Sequence, residues 1–462
     1  MRRTGGAALW LVLVVLAACV SALVPPMQSP DENSHVLRAD MLSRGQWLLE
    51  TPPGGESGGT TDPVLHTFVA AYLEDIVAHQ GRALTASHSE LTRELRWTRD
   101  RAFRPAPGTG YYFPLAYLPH ASGLALGRAL ELTVLQSYWL ARLLCMGCIA
   151  ALLVVAFRIH CPPLLAVALL LLPMTVFQMV LPTLDGITTA LAVLGLSLFM
   201  RRMLEPGEGP SWEPWVLAGC MFLVATTRAQ VAPLIGLQVY LAWRRGSRAH
   251  AVAGILAVIA TLVWTGYAIT HTVDLRVRRD HGTGELVRYY VEHPLEVVRL
   301  IGASLAQPDL ARLYERSFIG VLGWLDTGLD AFWYPSLWGG LAVCLAVSLA
   351  RAQLRQAADA RLLLLGTAAA SVLLAFFALL VTWTPFPAQS VGGVQGRYFI
   401  VPALALAYAA AGGEAKSADA AALSERWSRS SRSSRSLPAL GAIFGAGALY
   451  ALISALLARY HP

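Results

Sequence analysis

The spacing of apolar residues is what most limits the folds open to this chain. They fall in blocks of about 17–25 residues, the length an α-helix needs to cross the hydrocarbon core of a bilayer. This reads as an all-α, polytopic integral membrane protein. About eleven spans are predicted, over 7–24, 135–157, 163–181, 185–199, 214–226, 230–243, 249–270, 334–349, 362–383, 399–411 and 437–457. The 214–226 and 230–243 spans are short and fit one broken or re-entrant pair. Composition agrees: 55% of the residues are hydrophobic and 14% charged, against about 25% charged in soluble domains.

The net charge of +7 does not point to nucleic acid, because of where the bases lie. They recur at every second connection: Arg2-Arg3, Arg158, Arg201-Arg202, Arg244-Arg245-Arg248, Arg351, Arg355 and Arg361, and the 426–435 tract. This is the positive-inside pattern. It predicts a cytoplasmic N-terminus and, with an odd number of spans, an external C-terminus. The two long connections, 25–110 and 271–333, are then both extracytoplasmic. Arg2-Arg3, the apolar run after it and Val20-Ser21-Ala22 also fit a signal peptide, and Leu16-Ala17-Ala18-Cys19 fits a lipoprotein cleavage box. Either way the 25–110 segment ends outside. The six cysteines all lie in or beside apolar spans, so no disulfide framework is indicated.

The chain reads as one integral domain, 1–462, without internal repeats. In the 25–110 segment, 51–61 is rich in Gly, Pro, Ser and Thr and is predicted irregular. The 68–80 and 87–99 stretches have helical spacing and mixed charge, which suits helices lying at the membrane surface. Gly110-Tyr111-Tyr112-Phe113-Pro114-Leu115-Ala116-Tyr117 suits the interfacial aromatic belt. The 412–436 link is small, polar and rich in Ser and Arg, and is predicted to be a disordered cytoplasmic connection.

A charge near the bilayer centre costs about 2.5–3.5 kcal/mol on insertion scales, so ionisable residues in or at the ends of spans need a reason. Arg142, Asp185, Arg228 and Arg397 are the outliers; Arg128 and Glu131, three apart, are expected to pair with each other. Arg142 and Arg228 are candidate partners for the acids, with the pairs unassigned. The first span leads into Pro25-Pro26-Met27-Gln28-Ser29-Pro30-Asp31-Glu32-Asn33-Ser34-His35-Val36-Leu37-Arg38. Here Ser29 can cap a helix, Pro30 can take its first position and Glu32 can close a capping box. Capping accounts for Glu32 and less well for Asp31. In a helix Asp31, His35 and Arg38 follow i, i+4, i+7 and share a face, which resembles a general base with orienting partners. Arg397, in Gly393-Val394-Gln395-Gly396-Arg397-Tyr398-Phe399, can snorkel to the headgroups or bind phosphate through its planar fork, where the glycines allow close approach.

Together these segments resemble a bacterial membrane-protein family, domain of unknown function 2142. The resemblance runs through Pro26-x-Gln28-x-Pro30-Asp31-Glu32-x-x-His35-x-x-Arg38-Ala39 and Tyr112-x-Pro114-Leu115-Ala116-Tyr117-Leu118-Pro119. It continues with Leu172-Pro173-Met174-Thr175-x-Phe177-Gln178 before Asp185-Gly186, with Gly320-x-x-Gly323-Trp324-Leu325-Asp326-Thr327, and with Gly393-x-Gln395-Gly396-Arg397-Tyr398-Phe399. That family looks like a branch of the GT-C glycosyltransferase superfamily. The resemblance implies a multi-span fold with juxtamembrane helices in the first extracytoplasmic segment, in the bacterial cytoplasmic (inner) membrane, and a sugar carried on polyprenyl phosphate. Asp31 then matches the catalytic acid position and Glu32 its neighbour, while Arg397 and Tyr398 match an Arg-Tyr motif near the lipid phosphate.

The expected activity is inverting transfer of the sugar to an envelope glycan or lipid acceptor. Asp31, Glu32 and His35 are the candidate catalytic residues. Arg38, Arg142, Asp185, Arg397 and Tyr398 are the candidate substrate-binding residues. Some relatives use a divalent metal, so the resemblance leaves room for one between Asp31, Asp185 and the phosphate, although the sparse acidic cluster does not require it. The alternative is a non-enzymatic transporter or a scaffold subunit in envelope glycan assembly. Inverted repeats and charged mid-span pathways would favour a transporter; the charges instead cluster at the ends of spans.

Overall fold

The structure, a computed structural model, describes residues 3–78, 92–205, 207, 209–276, 281–352, 357–411 and 436–461. The predicted 412–436 link lies, but for its last residue, outside the described residues, as do 79–91 of the first long segment. The described chain is mostly helical. It also carries two short antiparallel ladders that the all-α expectation omits: Gly58–Thr61 on Ala102–Pro105, with Gly58 opposite Pro105, and Val321–Leu322 on Thr327–Gly328.

Six helices among the described residues are long and apolar enough to cross a membrane: Val134–Ile159, Leu184–Leu204, Arg248–His271, Trp333–Ala350, Ala358–Thr382 and Ala439–Tyr460. Among the described residues the other predicted spans are shorter or broken, so six of the expected spans, and not eleven, are long unbroken helices there. The 163–181 block splits into Leu164–Leu170 and Pro173–Met179, because proline has no N–H to donate and crowds the preceding turn. The 230–243 block opens as a 3-10 turn, Ala229–Leu234, with Pro233 inside it, before Ile235–Arg245. The 399–411 block opens as another 3-10 turn, Gly396–Phe399, before Ile400–Ala411. The 214–226 block is the single 15-residue helix Glu213–Thr227.

Leu184–Leu204 is buried along nearly its whole length and packs against Val134–Ile159, Glu213–Thr227 and Ile400–Ala411. Between apolar helices in lipid, close approach and hydrogen bonds do the holding. Ser197 and Tyr408 bond hydroxyl to hydroxyl at 2.7 Å across this core. Leu118–Ala129 lies against Val134–Ile159 through Gly123 and Gly127, where a Cβ would collide with Ala141 and Ser137. Thr133 starts the longer helix with a capping box: its hydroxyl accepts from the Gln136 N–H at 3.2 Å, and Gln136 Oε1 accepts from the Thr133 N–H at 3.0 Å.

Two local expectations change. Pro63–Ala78 is helical, but residues 95–99 are not. Leu95 accepts from the Val134 N–H at 2.8 Å, and Arg96 bridges Thr133. Arg128 does not pair with Glu131. It bonds the buried Asp40 and lies 4.9 Å from the Trp97 ring. Glu131 sits in a left-handed turn (φ 54°) that carries it off the helix, so the i, i+3 relation does not hold.

Candidate functional site

The helix breaks gather at one rim of the bundle. Asp185 lies in the first turn of Leu184–Leu204, where the helix dipole favours a carboxylate. Gln178 closes Pro173–Met179, Arg228 follows the last residue of Glu213–Thr227, and Arg397 sits in the Gly396–Phe399 turn. Asp31 directly precedes the helix Glu32–Ser43. Arg201 and Arg202 lie at the far end of the Asp185 helix, ~25 Å away.

Asp185 is the hub. Its Oδ1 accepts from Arg228 Nε at 2.8 Å and also from Arg228 Nη2. Its Oδ2 accepts from Gln178 Nε2 at 3.1 Å and from Arg397 Nη1 at 3.5 Å. The other end of the Arg397 guanidinium, Nη2, stands 3.9 Å from Asp31 Oδ2. Arg397 is buried, and its Nε has no acceptor among the described residues. On the other side of Asp31, Arg276 Nη1 approaches Oδ1 at 4.0 Å. Arg276 is itself held by Asp274 through bonds of 2.9 and 2.7 Å. The Asp31 side chain is 53% exposed and caps nothing, and the residue holds a left-handed φ of 65°. A non-glycine residue in that region stores strain, a property common at functional sites.

Aromatic rings line the cluster. Tyr398 lies 5.3 Å from the Arg397 guanidinium carbon and 5.6 Å from that of Arg228; Tyr112 lies 5.8 Å from the latter. His35 is buried behind Asp31, with Nδ1 2.8 Å from the Tyr117 hydroxyl and its ring 5.9 Å from Tyr112. Burial holds the His35 imidazole down to about 4, against the pull of Asp31 and with the push of Arg228, so the ring is neutral near pH 7. Burial raises the phenols of Tyr112 and Tyr117, which stay protonated.

Three of the sequence-selected residues face elsewhere. Glu32 is fully buried. It accepts from the N–H groups of Met27 at 3.2 Å and Ser29 at 3.1 Å, from the Tyr138 hydroxyl, and from Arg142 at 3.5 Å. It reaches back as a capping box would, but the cap position belongs to Asp31 and not to Ser29. Arg142, also fully buried, donates to the carbonyls of Ser21, Val24 and Pro25 at 3.2, 2.8 and 3.1 Å, between the rings of Tyr138 and Trp139. It ties the end of the first helix to the acidic motif. Arg38 donates to the carbonyls of Gln46 at 2.9 Å and Trp47 at 2.5 Å. The expected shared face of Asp31, His35 and Arg38 is therefore not formed, because Asp31 lies outside the helix.

The remaining motifs hold this arrangement. A Cβ at Gly396 would collide with the backbone of Tyr314 and Phe318, so only glycine lets the Arg397 turn press onto the helix Pro308–Ile319. The Gly396 N–H donates to Ser317 Oγ at 2.8 Å. Trp324 Nε1 donates to the Met27 carbonyl at 2.8 Å, fastening the acidic turn from above. Asp326 accepts from Arg459 Nη2 at 3.1 Å, so the last helix ends on the same rim.

Arg397 lies between Asp31 and Asp185, the place a cation shared by those carboxylates would take. No group of three or more His, Cys, Asp or Glu side chains among the described residues is placed to hold a metal ion. These residues do not fit a metal between the two acids. The arrangement offers instead a carboxylate open to solvent beside guanidinium groups, suited to accepting a proton next to a bound anion. Arg228 was visible in the sequence only as a partner of unknown address, and Tyr112, Tyr117 and Gln178 only as motif members. Arg276 gave no signal, since it opens an ordinary Arg-rich run.

Comparison with known proteins supports a family assignment and nothing narrower. No curated protein and no solved structure matches the chain. A family model described as "Predicted membrane protein (DUF2142)" matches residues 11–406, most of the chain and all of the clustered side chains. The protein belongs to the DUF2142 family of membrane proteins.

Proposed function

We propose that the protein is a GT-C-type membrane glycosyltransferase that moves a sugar from a polyprenyl-phosphate carrier to an envelope glycan or lipid. The supporting observation is the position of Asp31: a half-exposed carboxylate, without a side-chain hydrogen bond among the described residues, set between Arg276 and Arg397. Asp31 takes the proton of the acceptor hydroxyl as its oxygen attacks the anomeric carbon. The bond from that carbon to the phosphate oxygen breaks, inverting the centre, and the lipid phosphate leaves with the electron pair. Arg397 and Arg276 are fixed positive groups beside the growing charge, and such preorganised partners strengthen as water is excluded. Asp185 and Arg228 hold Arg397 in place, Tyr398 lines the anion site, and neutral His35 backs Asp31. The reaction takes place on the extracytoplasmic face of the bacterial inner membrane, with the N-terminus in the cytoplasm.

The test is the profile of lipid-linked and envelope glycans in cells with the protein, without it, and complemented with Asp31→Asn or Arg397→Ala. The expected result is a missing product in the deletion that neither variant restores while both insert normally. A normal product from Asp31→Asn would instead support a scaffold role.

A further inference from the structure

The helices Thr283–Glu292 and Pro294–Ala306 each have two apolar faces. One face is buried: Leu286, Tyr290 and Leu300 pack with Phe376, Leu380 and Val381, near the end of the Ala358–Thr382 span. The other faces away from the protein and leaves Val291, Leu295, Val298 and Leu305 at 66, 83, 67 and 55% exposure. On a water-facing connection so many large apolar side chains would be an unexplained cost. Charged residues lie between them, with Arg288 bonded to Glu292 at 3.0 Å and Arg299 near Glu296 at 3.5 Å. Aromatic rings collect at the same level: Tyr289 stacks on His293, and Phe386 meets Tyr289 edge-on.

The geometry points to the bilayer as the occupant of this second face. The two helices lie flat in the leaflet on the site's side of the membrane, their exposed side chains among the acyl chains and their arginines among the headgroups. The adjoining span supports this. The span against which they pack exposes Leu365 and Leu373 farther along its length and Trp383 just past its end, so exposed apolar side chains are found on that helix as well as on theirs. Amphipathic helices of this kind settle at the boundary of headgroups and acyl chains, with aromatic and basic residues at the same depth.

The seat has a mechanical consequence. Ser304, on the buried side of Pro294–Ala306, accepts from the Val391 N–H at 2.8 Å, and Ser317 of the next helix accepts from Gly396 at 2.8 Å. The segment that delivers Arg397 is therefore fastened to a platform resting on lipid.

The test places a benzophenone amino acid at position 295, 298 or 288 of the full chain in nanodiscs of phosphatidylethanolamine and phosphatidylglycerol. Photolysis followed by mass spectrometry is expected to give lipid adducts at 295 and 298 and none at 288. Crosslinks to a second copy of the chain, or no lipid adduct at 295 and 298, would overturn the proposal. A second measurement needs no substitution: hydroxyl-radical labelling of the native chain in the same nanodiscs is expected to mark Val291, Leu295 and Val298 about tenfold less than their exposure predicts. Full labelling would overturn the proposal. Neither result depends on sugar transfer.

Discussion

Arg397 stands 3.9 Å from Asp31, although the two come from nearly opposite ends of the chain. The same guanidinium reaches Asp185 at 3.5 Å with its other nitrogen. One buried cation thus joins the acidic turn after the first helix to the start of the central helix.

Asp31→Asn is expected to fold and insert normally, because the side chain caps no N–H and is half-exposed. Transfer of lipid-linked sugar in membrane vesicles should fall by about 10²–10⁴-fold, the usual contribution of a general base. Unchanged transfer would remove Asp31 from the reaction.

Asp185 and Arg228 are a mostly buried pair, and breaking it leaves Asp185 with only Gln178 and the longer Arg397 contact. Arg228→Met should cost about 3–5 kcal/mol of stability. The double variant Asp185→Asn with Arg228→Met should recover part of that loss. Thermal unfolding in detergent measures both, and equal damage in the single and double variants would contradict the pairing.

Arg142 and Arg397 separate two roles. Arg142→Met frees three carbonyls and the Glu32 carboxylate, so loss of folded protein should come first. Arg397→Lys keeps the charge but loses the planar fork. It should leave folded protein while transfer drops, as comparison of yield with activity per folded molecule would show.

Gly396→Ala forces the Arg397 turn off the backbone of Pro308–Ile319. A shift of about 1 Å at a reacting group can cost 10²-fold in rate, so activity should fall further than the melting temperature suggests. Wild-type turnover from this variant would show that the close contact is dispensable.

His35 sets a pH dependence. Its folded value is depressed to about 4 from an ordinary 6.5, so below pH 6.5 the unfolded chain binds a proton that the folded chain refuses. Its contribution to stability is intact above 6.5 and is lost as pH falls toward about 4. His35→Gln should flatten the melting-temperature profile in that window; an unchanged slope would assign the loss to other groups.

The membrane character and the chemistry-bearing positions were legible because they depend on local quantities. Apolar runs state their own length, and Arg142, Asp185, Arg228 and Arg397 stand out because charge is costly beside them. The breaks in the 163–181, 230–243 and 399–411 blocks were less visible. Hydropathy averages over the proline or glycine that interrupts a helix, and a broken helix has the composition of a whole one.

The sequence marked Arg142 and Arg228 as partners for acids but assigned no pair. Arg128 had a local candidate in Glu131 and took the distant Asp40. Arg142 and Arg397 were both candidate substrate-binding residues, yet one is locked among carbonyls and the other is left facing two carboxylates. The amino-acid order by itself determined that the chain lies in a membrane and which side chains would need a reason to be there. Only the tertiary structure decided which of them meet, because a buried charge is settled by the donors and acceptors within about 4 Å of it, and those come from segments that no local pattern connects.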